Sequence, residues 1–82
     1  MLSVGIDKIE EFWGEKVPIV ACEELGELIT AISHRERGRI DNERVAEEIA
    51  DTIISCGMLM RRYKISDELV QMKLIEKTNR QY

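Results

Sequence analysis

Proline occurs once in the 82 residues, glycine five times, and the aromatic residues together make up 5%. Sheet proteins draw on aromatic and β-branched pairs, so this shortage, beside many Glu, Leu, Ile, Lys and Arg, favours helices. Cysteine is also scarce. Cys22 and Cys56 are too few for a disulfide scaffold and lack the spacing of a metal cluster. Both fall within helical patterns, where packed, reduced thiols and a cytosolic setting are expected. No charged-then-apolar leader is present, and the longest apolar run, Val17 to Cys22, falls far short of the roughly 20 residues that span a bilayer. A cytoplasmic chain with no membrane partner is therefore expected. Basic residues are outnumbered, twelve against sixteen acids for a net charge of −4, which argues against a nucleic-acid partner.

A chain of this length makes one domain, residues 1–82, and buries only about 60% of the surface its unfolded form exposes. Its 44% hydrophobic content excludes disorder and fits a core shared with partner chains. The fold class is all-α, a four-helix chain with an antiparallel central hairpin. The first helix is predicted from Ser3, a suitable N-cap, to Gly14, with Leu2, Ile6, Ile9 and Trp13 at helical spacing. The second starts near Pro18 and runs through Leu25, Leu28, Ile29 and Ile32 to Arg37, with Gly38 as its left-handed cap. Asp41 or Asn42 caps the third, whose main stripe is Val45, Ile49, Ile53, Cys56 and Met60, with Ile54 and Met58 off that stripe. After a break at Tyr63 to Ser66, the last helix carries Leu69, Val70, Met72, Leu74 and Ile75 around most of its circumference and ends near Asn79. Helices apolar on two sides need two packing partners, so assembly into a dimer or tetramer of helical bundles is expected.

Acidic residues are unevenly placed. Glu23-Glu24-Leu25-Gly26-Glu27 and Glu47-Glu48-Ile49-Ala50-Asp51 share the order acid, acid, aliphatic, small, acid, each after a Val-Ala pair. Neither Val17 to Ser33 nor Val45 to Met60 contains a Lys or Arg. Residues three apart share a helix face, so Glu24 with Glu27 and Glu48 with Asp51 form carboxylate pairs. Like charges stacked in this way destabilise a helix, more so when partly buried, and call for a compensating cation. Glu27 lies eleven residues before Gly38 and Glu48 ten after it; Glu24 lies fourteen before and Asp51 thirteen after. Two helices packed antiparallel about that glycine bring both pairs to one level. Four oxygen ligands at one level suit a hard divalent cation, foremost Mg²⁺, with Mn²⁺ as an alternative ion. A di-iron bundle, an EF-hand, a zinc HExxH helix and a phosphate-binding glycine loop all lack their residues here, as does a nucleophilic triad.

Glu23-Glu24-x-x-Glu27 followed by Glu48-x-x-Asp51 resembles the signature of the all-α nucleoside triphosphate pyrophosphohydrolases, the MazG-like family. The likeness covers most of the chain. It implies Mg²⁺-dependent hydrolysis of nucleoside or deoxynucleoside triphosphates to monophosphate and pyrophosphate, by a homodimer or homotetramer. It assigns Glu24, Glu27, Glu48 and Asp51 to the metal and gives Glu23, alongside Glu24, a catalytic part in orienting or deprotonating water. Lys73, Lys77, Asn79 and Arg80 occupy the last-helix region that in the family reaches phosphate or sugar. Phosphoribosyl-ATP pyrophosphatase shares the motif set and is the enzyme alternative. The non-enzyme alternative is an acidic helical interaction module that docks a basic partner.

Several residues admit two roles. Trp13 can stack on a nucleobase, although a Trp spaced with Ile6 and Ile9 also fits a core. Arg35, Arg37 and Arg39 fit either the rim of a phosphate site or a solvated helix terminus. Gly26 and Gly57 suggest close helix approach, or in the case of Gly26 room for metal-bound water. Met58, Met60 and Met72 are expected as core or interface fillers, and His34 as a surface residue.

Overall fold

A computed structural model describes residues 6–81, so the expected N-cap Ser3 lies outside the described residues. Those residues form α1 (Ile6–Trp13), a short 3-10 turn (Gly14–Lys16), α2 (Val17–Glu36), α3 (Asn42–Arg62) and α4 (Asp67–Gln81), with no strand among them. Local signals explain the boundaries. Gly14 adopts φ +53°, a left-handed value at which α1 stops. Pro18 occupies the first turn of α2. At the other end, Gly38 adopts φ +72° while the Gly38 and Arg39 N–H groups bond the Arg35 and His34 carbonyls. Asp41 Oδ1 accepts from the Arg44 N–H at 3.1 Å, and Ser66 Oγ accepts from the Leu69 N–H at 3.1 Å. Among the described residues, no helix is long and apolar enough to cross a membrane.

α2 and α3 form an antiparallel pair, and α1 packs across both. Their facing seams run through Val17, Ala21, Glu24, Leu28 and Ala31 on α2 and Glu48, Asp51, Ser55 and Met58 on α3. Alternating steps of three and four are the spacing of a two-helix seam, and here acids hold three of those positions. At the open end of the hairpin, Val17 and wholly buried Met58 form a small core with Ile9, Trp13, Ile54 and Leu59 packed against it.

Two expectations are corrected. The main apolar stripe of α3 is not its core face: Ile49 is 45% and Ile53 40% exposed, and the off-stripe pair Met58 and Ile54 does the packing. Ile49 and Ile53 stand roughly 140–180° around α3 from its seam, and Leu25, Ile29 and Ile32 roughly 60–120° around α2 from its own. The α2 stripe therefore lies on a flank of the pair, whereas Ile49 and Ile53 point away from α2. The packed unit is also three-helical. α4 makes no comparable contact, and its Leu69, Met72, Leu74 and Ile75 stay exposed. After α3 the chain passes through Lys64 at φ +56°, and α4, whose few apolar residues are scattered around its circumference, offers no single face to the bundle. The radius of gyration, 14.5 Å, exceeds the about 12 Å of a compact domain of this length.

Trp13 takes the core role. The thiols of Cys22 and Cys56, expected to be packed, are both exposed in the chain and unpaired with one another. Gly26 permits no close helix approach, since a Cβ built there would meet nothing within 4 Å.

With so few buried side chains, each one counts. Met58→Ala is expected to lower unfolding stability by about 2–5 kcal/mol in a denaturant titration, through lost transfer energy and a residual cavity. A change within about 0.5 kcal/mol, the range of ordinary surface substitutions, would contradict this core assignment.

Candidate metal centre

About two helical turns from the Val17–Met58 core, the hairpin seam changes from apolar to acidic. Glu24 and Glu27 on α2 and Glu48 and Asp51 on α3 each offer a carboxylate oxygen, and these atoms all lie within 4.8 Å of one another. The helical register predicted from Gly38 therefore holds. Ala21 and Ala31, both buried, flank the acids along α2, and their small side chains let α3 approach. On α3 the Thr52 and Ser55 hydroxyls donate to the Glu48 and Asp51 carbonyls, each at 2.9 Å, which satisfies them within their own helix.

Glu48 is 2% exposed. Its Oε1 lies 2.9 Å from Arg44 Nη2, while Oε2 is buried and has no hydrogen-bond partner. Glu24 Oε2 is in the same condition. Glu27 and Asp51 reach solvent. A buried carboxylate oxygen without a donor carries its full desolvation cost, and two of them aimed into one cluster make a donor set suited to a hard cation. The electrostatics agree. Burial first, then the charges of Glu27, Asp51 and Glu48, push the Glu24 carboxyl above its ordinary value of 4.5.

Arg44 is the functional residue that the sequence reading missed. It sits one position before the Arg-free stretch of α3, yet it reaches forward to Glu47 at 3.0 Å and to Glu48 at 2.9 Å. The hydrogen bond with Glu47, then the charge of Glu48, raises its own pKa. The i,i+4 step from Arg44 to Glu48 was the available signal. One cation among four acids relieves Glu48 only in part.

A recess of about 670 Å³ opens beside Glu27, lined among others by Glu23, Thr30, His34, Ile40 and Arg44. Glu23 is exposed on its wall, next in sequence to Glu24. His34, expected at the surface, is half-buried there. The remaining sequence candidates lie elsewhere. Arg35 Nε donates to Asn42 Oδ1 at 2.8 Å and so ties the ends of α2 and α3 together; Arg37 and Arg39 are exposed. Lys73, Lys77, Asn79 and Arg80 are exposed on α4, where Lys73 Nζ lies 3.4 Å from Glu76 Oε2. Compared with protein-family models, curated proteins and solved structures, the chain matches none of them.

The raised Glu24 value fixes the sign of a pH effect. A carboxyl whose folded pKa lies above its unfolded one costs nothing when protonated in both states and costs most when ionised in both. In metal-free buffer, Glu24→Gln should therefore raise Tm by a few degrees at pH 7. That gain should shrink as pH falls through the raised value and vanish below about 4.5. A variant less stable than the wild type at pH 7 without metal would show that the cluster is not under repulsion.

Proposed function

We propose that the chain is a Mg²⁺-dependent hydrolase that splits nucleoside or deoxynucleoside triphosphates into monophosphate and pyrophosphate. One observation carries this: four carboxylates from two helices meet within 4.8 Å, with two buried oxygens lacking donors. Alone, such a cluster would repel a substrate bearing about four negative charges. A divalent cation held there would reverse the local sign and supply Lewis acidity at a phosphoryl oxygen. Glu24, Glu27, Glu48 and Asp51 are the residues to hold it.

The rest of the site follows from where side chains stand. Glu23 is assigned to orient the attacking water and take its proton, since it lines the recess beside the cluster. Arg44, which lines the recess and pairs with Glu48 at 2.9 Å, adds positive charge near the phosphates. The recess volume falls within the about 300–1,000 Å³ usual for small-molecule sites, enough for a nucleoside. On the family resemblance, Lys73, Lys77, Asn79 and Arg80 serve phosphate or sugar within a homodimer or homotetramer. The setting that goes with this activity is cytoplasmic.

An assay coupling inorganic pyrophosphatase to phosphate detection, run over canonical and modified triphosphates, tests the proposal. Pyrophosphate release should require Mg²⁺ and should fall about 100-fold or more in Glu48→Gln or Asp51→Asn, whose lost ligands the cation needs. No release from any triphosphate would refute it. Turnover of phosphoribosyl-ATP alone would move the activity to that substrate, and an acidic docking module would release nothing and be indifferent to Mg²⁺.

A further inference from the structure

We infer that the recess beside the carboxylates takes the nucleoside end of the substrate, and that Thr30 and His34 determine which base is accepted there. The inference rests on the proposed function and concerns the part of the substrate that a cation would not hold. Trp13 was the stacking candidate in the sequence, but it is packed against Val17 and Met58 at the open end of the hairpin. Base recognition therefore falls to other residues.

Glu23, Glu27, Thr30 and His34 recur at steps of four, three and four, so the wall that α2 gives the recess is one continuous helix face. Ile40 in the turn and Arg44 in the first turn of α3 complete it. The wall changes in character along its length. Glu27 belongs to the carboxylate cluster, and Arg44 pairs with Glu48 at 2.9 Å, which marks the end where phosphates would meet a cation. Towards the hairpin turn the carboxylates stop, and Thr30, His34 and Ile40 follow. Seven residues separate Glu27 from His34, about 10 Å along α2, which is the reach of a nucleoside from its α-phosphate.

The chemistry of that far end suits a base. Ile40 and His34 are half-buried, so a planar ring seated there gains an apolar contact and meets polar groups at its edge. A hydroxyl both donates and accepts, and an imidazole can donate from one nitrogen while it accepts at the other. Bases differ in the order of donors and acceptors along their edges. A site that hydrogen-bonds one order rejects a base that leaves a polar group unpaired.

Two measurements test the inference. The isotope-labelled chain, followed by amide NMR in Mg²⁺, is titrated with the canonical nucleoside and deoxynucleoside monophosphates. The amides of Thr30, His34 and Ile40 should shift more than those of Trp13, Lys73, Lys77, Asn79 and Arg80, by an amount that depends on the base. In steady-state assays Thr30→Val and His34→Ala should change the kcat/KM ratio between the best and worst bases about 10-fold or more, chiefly through KM. Glu36→Gln, exposed on α2 but outside the recess, should leave that ratio unchanged. Shifts centred on Trp13 or α4, or wild-type selectivity in both recess variants, would overturn the inference while hydrolysis stands. Shifts at Thr30, His34 and Ile40 without pyrophosphate release would keep the nucleotide site and fault the hydrolysis alone. Neither shifts nor release would remove both.

Discussion

Four carboxylates share the seam of one helical hairpin, and the rest of the molecule is arranged around that conflict of like charge. A seam position in an antiparallel helix pair ordinarily takes an apolar side chain, because burial there supplies much of the pair's stability. Glu24, Glu48 and Asp51 occupy such positions. Their ionised forms lose solvation and repel one another at the same time. Arg44 offsets part of this at Glu48 and leaves Glu24 with a buried, partnerless oxygen. A fold that tolerates this arrangement gives up stability at the cluster, a trade that functional sites commonly show.

The consequence for packing is direct. With acids in the middle of the seam, apolar burial between α2 and α3 is confined to the stretches on either side, Ala31 towards the turn and the Val17–Met58 cluster at the open end. α1 closes that cluster and α4 adds nothing comparable. The apolar side chains that would make a larger core stand on the outer face of the hairpin and around α4. Carboxylates thus take seam positions while many apolar side chains stay exposed, a distribution that a single small chain sustains poorly.

Much of this was legible in the sequence because it rests on local rules. The stops at Gly14 and Gly38, the caps Asp41 and Ser66, and the proline that opens α2 each follow from backbone chemistry. The nearly equal spacing of the two acidic segments from Gly38, one residue apart, set the register of the cluster. What misled was the stripe on α3. Ranking positions by hydrophobicity selects Val45, Ile49, Ile53, Cys56 and Met60, but the face that packs within the chain is the polar one, Glu48, Asp51 and Ser55 ending at Met58. Periodicity finds an apolar face without saying whether the same chain or another covers it. Arg44 was overlooked for a related reason: a search for cations inside the acidic stretch misses one that reaches in from the preceding turn. The separation of α4 was not legible, since apolar residues scattered around a helix give no single direction for packing.

The carboxylate cluster lies in the hairpin seam beside the recess, which Glu27 and Arg44 help to line. The proposed chemistry depends on a divalent ion seated among the four carboxylates, and that can be observed without reference to any substrate. Crystals soaked in manganese and measured at its absorption edge should show an anomalous peak within coordination distance of Glu24, Glu27, Glu48 and Asp51. Full soaking at millimolar manganese with no peak there, and the four side chains still clustered, would contradict the account.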